Sequence, residues 1–558
     1  MGHIKYIILV LFLHISLFIV AQTASFPKYE YRAVWLTTIE NLDWPKTRVS
    51  SPRDIDVQKK ELCSLLDSLH ALNVNTVLLQ TRLRGDVIYP SQYEPFTDVL
   101  TGVVGKNPGY DPLAFAVEEC HKRGMQLHAW LVTLPLGKVE HLRKLGRLSL
   151  RYKNPKLCRH HKGQWYMEPG EPATSEYLCN LVAEIVGNYN VDGIHLDYIR
   201  YPDRPSGYSD SQLFYRYGGG ATLDDWRRAN ITRIVRDIYS QVKRLKPWVR
   251  VSCAPLGKHD DLTAYSSYGW NARNTVYQDA QQWVKEGIMD ILFPMLYFPD
   301  NHFYPFVRDW QENIASRHLV PGVGVYRLLP SEGNWEIIEI ERQLNTTRTA
   351  GALGTALFRT RHLLDNIKGA SDSYKKIYKW PALVPPMSWV AEPAPPMVQG
   401  FYGSRVGDTL RLSWQKVAVQ GMPAVKYNVY ASQTAPVDIS NVQNLMAHSL
   451  PDASFEWVGS TLNTMHWAVV PVNAYGVEGA PAFWSEKGAE QQFYREEIHL
   501  PAAQAWDARV VLRGVEGAKL YEGPYSTRVG VRGIPPGVYM LEVVNSKGVV
   551  LKRIPFTK

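Results

Sequence analysis

The sequence predicts a (β/α)8 barrel followed by all-β accessory domains. From residue 31 to about residue 370, eight short apolar segments alternate with amphipathic helical patterns, which is typical of parallel strands joined by helices. After a proline-rich stretch at 380–396, apolar and polar residues alternate between turn residues, as in antiparallel sheets. An open doubly wound sheet is the alternative for the first part, but no glycine-rich phosphate loop follows its first strand.

The predicted barrel domain covers residues 28–379. Its strands are continuous apolar runs, which indicates burial on both faces of the sheet. The predicted strands are 32–38, 75–82, 126–132, 191–199, 249–255, 289–297, 319–326 and 351–358. Helical periodicity predicts helices such as 55–72, 112–123, 175–189, 223–245 and 337–349. This length fits a barrel with enlarged loops.

The N-terminal residues have the parts of a secretory signal peptide. Lys5 precedes an apolar stretch at 6–20, and small and polar residues follow at 21–25. The apolar stretch is too short to favour a retained membrane-spanning helix. We therefore expect residues 1–24 to be removed, no transmembrane segment in the mature chain, and secretion to the periplasm, the cell surface or the medium.

The composition of the 558-residue chain excludes several classes of protein. A hydrophobic fraction of 45% with 21% charged residues argues against disorder. The net charge of +9 comes without a basic run or a nucleic-acid motif, so no nucleic-acid partner is predicted. Five scattered cysteines offer no CxxC pair and no zinc spacing, and no cofactor or metal is predicted. Cys158 and Cys179 could form a disulfide.

Two accessory modules follow the stretch at 380–396, which is predicted to be a stiff linker. Residues 397–490 resemble a fibronectin type III domain in the placement of Trp414, Tyr427 and the NAYG motif. Residues 495–558 contain GIPPGVYMLEVVNSKGVVLKRI, which resembles the C-terminal sorting domains of exported Bacteroidetes-type proteins. That resemblance implies contact with the cell surface or export machinery; another β-sandwich module is the alternative.

The segment HLDYIRYP at 195–202 is the strongest candidate for a catalytic site. It ends the fourth predicted strand, and the C-terminal strand ends of a barrel face a shared cavity. Alternation along the strand places His195 and Asp197 on the same face. A carboxylate at such a position is costly to bury unless it has a function or a partner. Asp197 is therefore either catalytic or an ion-pair partner of Arg200.

Polar and aromatic side chains also follow other predicted strands, and their convergence would suit a polar substrate. Asp300, after the sixth strand, and Asp86, after the second, are candidate proton donors; each could instead cap a loop or bind sugar hydroxyls. Ordinary barrel packing is the alternative for the aromatic candidates. The expected substrate-binding residues are Arg82, His128, Trp130, His195, Arg200, Tyr201, Tyr297, Tyr326 and Arg359.

The barrel segment resembles glycosyl-hydrolase-like family ten, a group of secreted bacterial (β/α)8 proteins. The motifs include RAVWLTTIENLDWP at 32–45, GYDPLAFAVEECHKRGMQLHAW at 109–130, VDGIHLDYIRYP at 191–202 and MDILFPMLYF at 289–298. The chain departs from the family pattern after HAWL, where it continues VTLPLG. The resemblance implies hydrolysis of O-glycosidic bonds in a polysaccharide or cell-wall glycan by two carboxyl groups, with Asp197 as the nucleophile or stabilising carboxylate.

Two other functions are compatible with the same residues. The barrel could bind a polysaccharide or oligosaccharide without cleaving it, if it has lost its proton-donating carboxyl group. His128, His195 and Asp197, on adjacent strands, could instead hold a metal ion in a metal-dependent hydrolase or deacetylase, although no HxH or HExxH motif supports such a site.

Overall fold

A computed structural model of the chain shows a barrel of parallel strands in the N-terminal part of the protein. The structure describes residues 26–203, 205–458, 465–485, 497–500, 508–514, 517–531, 534–535 and 538–557, and the predicted signal peptide lies outside these ranges. The barrel strands are β1 (Tyr31–Leu36), β2 (Thr76–Arg82), β3 (Gln126–Val132), β4 (Gly193–Asp197), β5 (Arg250–Cys253), β6 (Ile291–Leu292), β7 (His318–Leu319 and Gly322–Gly324) and β8 (Gly354–Phe358).

The seventh strand consists of two pieces, and it closes the barrel. Its first piece pairs in parallel with β6 and its second piece pairs in parallel with β8. Between the two pieces lies Pro321, which has no N–H to donate to a neighbouring strand. The backbone remains bonded on both sides, because Val320 N donates to Leu292 O (2.9 Å) and Ala356 N donates to Pro321 O (3.0 Å). Each strand thus has two neighbours, which confirms the predicted (β/α)8 fold.

Several strands are shorter than their apolar patterns predict, and for β4 and β6 the local cause is clear. β4 ends at Asp197 because Tyr198 adopts a left-handed conformation (φ 51°), which turns the chain out of the strand. β6 is reduced to Ile291–Leu292, close to Pro294, which cannot extend the ladder. The residues of β1, β2 and β4 are buried throughout, as expected for parallel strands covered on both faces.

Helices connect the strands and cover the barrel. Helix Pro112–Lys122 begins where it does because the Asp111 carboxylate accepts hydrogen bonds from Leu113 N (3.1 Å) and Ala114 N (3.0 Å). The other α-helices are Pro52–Ala71, Val139–Leu145, Leu150–Lys153, Pro172–Asn188, Ser211–Tyr217, Leu223–Leu245, Ala272–Thr275, Ala280–Lys285, Tyr304–Glu312, Ile337–Thr349, Thr360–Leu364 and Ala370–Ile377. Single 3-10 turns are Ile39–Asn41, Gly146–Leu148, Pro155–Leu157, Thr263–Tyr265, Asp300–His302, Val325–Leu328, Ile367–Gly369 and Val442–Asn444.

A small antiparallel sheet is inserted between β3 and β4, where the sequence departs from the family pattern. Its strands are Pro135–Lys138, Cys158–His161 and Gln164–Met167. Cys158 lies in this sheet and Cys179 lies in the following helix, and both are free thiols. The disulfide that the sequence left open is therefore not formed.

Antiparallel sheets follow the barrel, which confirms the predicted all-β accessory region. The sandwich domain, residues 402–485, has one sheet of three strands and one of four around a shared hydrophobic core. The first sheet contains Tyr402–Val406, Thr409–Ser413 and Ser454–Val458, and the second contains Lys426–Ser432, Leu445–Leu450, His466–Val472 and Ala482–Ser485. Beyond it lie a two-stranded sheet (Glu497–His499 and Arg528–Gly530) and a four-stranded sheet (Arg509–Gly514, Lys519–Pro524, Val538–Val544 and Val550–Thr557).

The sandwich domain packs against the N-terminal end of the barrel strands. Lys28 Nζ and Tyr29 Oη, just before β1, contact the Glu478 carboxylate at 2.5 and 2.6 Å. Lys426 of the sandwich lies 3.9 Å from Asp192, the residue that precedes β4. These ion pairs and hydrogen bonds fix the sandwich domain to the base of the barrel.

The proline-rich stretch at 380–396 is packed against both domains. Its Leu383 carbonyl accepts a hydrogen bond from Glu30 N, and its Met387 N–H donates to Tyr475 O in the sandwich domain, both at 2.9 Å. The stretch is thus part of the contact between the domains as well as a connection.

Within the described ranges, none of the helices is long and apolar enough to cross a bilayer.

Candidate active site

A cavity of about 460 Å³ opens at the C-terminal end of the barrel strands. Substrates of barrel enzymes bind at this end, where the loops that follow the strands meet. The cavity is lined by Thr37, Ile39, Leu42, Gln80, Arg84, Trp130, Val132, Asp197, Tyr198, Arg200, Asp203, Leu256, Gly257, Trp270, Met295, Tyr297, Phe298, Tyr326, Arg327 and Phe358. The predicted site residues that it brings together are Trp130, Asp197, Arg200, Tyr297 and Tyr326.

Asp197 is the last residue of β4 and is 6% exposed. Both of its carboxylate oxygens accept hydrogen bonds: Oδ1 from the backbone N–H of Tyr198 (2.7 Å) and Oδ2 from the indole Nε1–H of Trp130 (3.1 Å). Trp130 comes from the adjacent strand β3, where Val132 is the register partner of Asp197. The two donors fix the orientation of the carboxyl group at the cavity wall.

Burial raises the pKa of the Asp197 carboxyl group, while the Arg200 guanidinium and the two N–H donors act in the opposite direction. A carboxyl group with a raised pKa holds its proton closer to neutral pH and is suited to donate it. Arg200 forms its salt bridge with Asp203 rather than with Asp197. The structure therefore does not support the interpretation of Asp197 as a simple ion-pair partner.

Two arginine side chains surround the Tyr198 ring at the cavity wall. The guanidinium carbon of Arg200 lies 4.5 Å from the ring centroid, and that of Arg84 lies 5.6 Å from it. Both arginines also lower the pKa of the nearby Asp197 carboxyl group through their positive charge. The site thus places cationic hydrogen-bond donors beside the buried carboxyl group.

Aromatic side chains form another part of the wall. The Tyr297 ring centroid lies 5.7 Å from that of Tyr326 and 5.5 Å from that of Phe358. Such side chains combine an apolar ring face with, in tyrosine, a polar edge. Sugar rings have apolar C–H faces and polar hydroxyl edges, so this wall is chemically matched to a carbohydrate.

His128 and His195 are completely buried and lie outside the cavity wall. His195 Nε2 accepts a hydrogen bond from Trp35 Nε1 (3.1 Å), and its Nδ1 bonds to Ser252 Oγ (3.0 Å). Burial holds the pKa of His195 well below its usual value and lowers that of His128 to about 3, so both rings are neutral. In the part of the chain that the structure describes, no group of three His, Cys, Asp or Glu side chains could hold a metal ion.

Three other predicted substrate-binding residues make structural contacts away from the cavity wall. Arg82 binds Glu94 through two hydrogen bonds of 2.8 and 2.7 Å. Tyr201 is completely buried among other tyrosine rings. Arg359 forms a salt bridge with Asp43, in the loop after β1. These side chains hold the strand ends and loops that surround the cavity.

The two predicted proton donors also lie outside the cavity wall. Asp86 is buried in the loop after β2, where its Oδ1 accepts the backbone N–H of Arg84 (2.9 Å). Asp300 is an exposed residue at a 3-10 turn and has a φ of 51°. Among the described residues, the carboxyl groups that line the cavity are those of Asp197 and Asp203.

Other lining residues were not singled out by the sequence. Strict alternation along β4 assigns Tyr198 to the face opposite Asp197, but the left-handed backbone at Tyr198 brings it to the cavity. Its position beside Asp197 in HLDYIRYP was the available signal. Asp203 and Trp270 come from long loops, where no periodic pattern indicates the direction of a side chain.

A (β/α)8 barrel with a buried carboxyl group, arginines and aromatic rings at its C-terminal cavity defines a glycosidase-like protein. The chain belongs to the family described as glycosyl hydrolase-like 10, whose profile matches residues 30–328. The resemblance that the barrel motifs indicated is thereby confirmed.

Two relatives of the chain are named as glycosyl hydrolases. Glycosyl hydrolase YngK of Bacillus subtilis (strain 168) is 33% identical over 387 residues, which cover 66% of this chain and 75% of the relative. Glycosyl hydrolase DigH of Escherichia coli (strain K12) is 31% identical over 366 residues, 60% of this chain and 83% of the relative. A solved α-L-fucosidase isoenzyme 2 from Paenibacillus thiaminolyticus aligns with a TM-score of 0.43 and 15% identity over 66% of this chain and 52% of that one.

Proposed function

We propose that the protein hydrolyses O-glycosidic bonds of a polysaccharide or cell-wall glycan. The observation that carries this proposal is the buried Asp197 carboxyl group, which opens onto a cavity with aromatic and arginine side chains. Glycoside hydrolysis requires a proton for the departing oxygen and negative charge near an oxocarbenium-like centre. Family membership supports the same reaction class.

Asp197 and Asp203 are our candidates for the two carboxyl groups of this reaction. Burial raises the pKa of Asp197, which suits the proton donor, so we assign it this role in place of the nucleophile that the family resemblance implied. Asp203 is 57% exposed at its side chain and forms a salt bridge with Arg200. In this scheme Asp203 supplies the negative charge, and Asp86 and Asp300 support the surrounding loops.

The proposed cellular location rests on the sequence of the N-terminus and of the accessory modules. We propose that residues 1–24 direct export and are then removed, and that residues 397–490 and 495–558 act as fibronectin-type and sorting-type modules at a surface. Cell fractionation with N-terminal sequencing of the exported chain tests this proposal. An intact N-terminus in the cytoplasmic fraction would contradict it.

Release of reducing sugar tests the enzymatic proposal. Wild type and Asp197→Asn would be incubated with plant, host and bacterial-wall glycans, and the melting temperature of both would be measured. We expect wild-type turnover that falls by about 10²–10⁴-fold in the variant, since a positioned acid contributes that much, with melting temperature unchanged. Turnover that is insensitive to Asp197→Asn would place the reaction at another centre.

A carbohydrate-binding barrel without turnover is the second candidate function. It is favoured by the engagement of the Asp203 carboxylate with Arg200 and by the position of Asp86 and Asp300 outside the cavity wall. Isothermal titration calorimetry with the same glycans distinguishes the two functions. Binding without any release of sugar by the wild type would support this second function.

A further inference from the structure

Trp270 is an exposed tryptophan at the edge of the cavity. It lies in the loop between β5 and helix Ala272–Thr275 and contributes to the cavity wall together with Asp197. Its side chain is 44% exposed, whereas Trp130, in the same wall, is 4% exposed. A large part of the Trp270 indole is thus in contact with water and is not packed into the hydrophobic core.

The backbone around Trp270 is held in place on both sides. Asp261 Oδ1 accepts hydrogen bonds from Gly269 N and from Asn271 Nδ2, each at 3.0 Å. Gly269 has a φ of 99°, a conformation that favours glycine and turns the chain just before the tryptophan. Asn271 is 2% exposed and caps the next helix through Asn274 N (2.8 Å).

This combination of a fixed loop and an exposed ring is typical of a preformed contact for a ligand. Ordering the ring before binding reduces the entropy that is lost on association. The continuity with the Asp197 cavity favours a sugar chain that already occupies that cavity.

We infer that Trp270 stacks on a sugar residue remote from the cleaved bond, so that the protein acts on chains of several sugars. This inference rests on the proposed function, since it assigns a distal contact to the same substrate. The indole presents a flat apolar surface to the C–H face of a sugar ring, while the hydroxyl edge remains in water. Oligosaccharides that are too short to reach the Trp270 ring would gain no affinity from it.

Binding of oligosaccharides of graded length tests this inference. The full chain with Asp197→Asn, which prevents turnover, would be titrated with four series of oligosaccharides. These are cello-, chito-, xylo- and manno-oligosaccharides of about two to six sugars, each one sugar longer than the last. Adding Trp270→Ala should weaken binding of the longest chains about tenfold, the effect of losing about 1.4 kcal/mol, and leave the shortest unchanged. Trp270→Phe should restore most of the lost affinity.

Tyr265→Ala is the matched control, because Tyr265 is an exposed aromatic residue of the same loop that lies outside the cavity wall. It should bind like the parent at every length. An equal loss at all lengths in Trp270→Ala, or no loss at any length, would overturn the distal role while leaving the proposed function intact. Failure of the parent to bind any of the four series, together with no turnover of any glycan by the wild type, would overturn both.

Discussion

The indole N–H of Trp130 donates a 3.1 Å hydrogen bond to Oδ2 of Asp197 across two neighbouring barrel strands. The bond stabilises the ionised carboxylate and thereby lowers the pKa that burial raises. A side chain on another strand therefore contributes to the protonation of the proposed catalytic group, beside burial, Arg200 and the Tyr198 N–H.

Trp130→Phe removes this donor and keeps an aromatic ring. A hydrogen bond to a charged group contributes about 1.5–3 kcal/mol, and this bond stabilises the ionised carboxylate, so its loss should raise the pKa of Asp197. If Asp197 is the proton donor, the alkaline limb of the kcat/KM profile should move to higher pH by the same amount. Trp35→Phe is the control, because its indole binds His195; a shift of equal size in both variants would contradict the assignment.

Asp203→Asn should lower kcat strongly. It removes the negative charge that we assign to stabilising the transition state, and the loss of one such electrostatic stabiliser costs about 10²–10³-fold. Steady-state kinetics on the glycan that the wild type cleaves would measure the effect. Asp300→Asn is the matched exposed variant and should retain activity; loss of activity in Asp300→Asn alone would restore Asp300 as the catalytic partner.

Glu478 should be important for stability because it joins the two domains. Its carboxylate accepts hydrogen bonds from Tyr29 and from Tyr430 (2.8 Å) and pairs with Lys28. Glu478→Gln removes the ion pair within this partly buried cluster and should lower the free energy of unfolding by about 1–3 kcal/mol. Urea titration measures this free energy of unfolding. The control is Glu456→Gln, which breaks an exposed pair with Arg411 and should change the free energy of unfolding by less than about 1 kcal/mol.

His448 should make the stability of the protein fall on acidification. It lies where the sandwich domain meets Gly124 of the barrel, and burial lowers its pKa to about 4. Between about pH 6.5 and about pH 4 the unfolded chain binds a proton that the folded chain does not, so stability decreases as the pH falls through this range.

His448→Gln should remove that contribution, which amounts to about 1–2 kcal/mol at pH 5. Urea unfolding of wild type and variant at pH 7 and pH 5 measures the difference. His160→Gln, at an exposed position, should keep the wild-type pH dependence. If the free energy of unfolding changed equally between pH 7 and pH 5 in wild type and His448→Gln, His448 would have no part in this pH dependence.

The barrel and the position of Asp197 could be predicted because apolar runs and strand alternation are local properties of the sequence. The interruption of β7 at Pro321 and the early end of β4 at Tyr198 could not, since they depend on how neighbouring strands close the barrel. His195 shows the limit of strand alternation. It lies on the same face of β4 as Asp197, but it is two residues further from the C-terminal strand end and is buried in the core. Loop residues such as Asp203 carry no periodic signal at all.

The sandwich domain contacts the base of the barrel, at the N-terminal strand ends, whereas the cavity opens at the C-terminal strand ends. Natural selection can therefore change the outer surface of the accessory domain without disturbing the residues around Asp197. Changes on that outer surface and changes around the cavity are thus structurally independent, whereas the contacts at Glu478, Asp192 and Gly124 constrain both domains together.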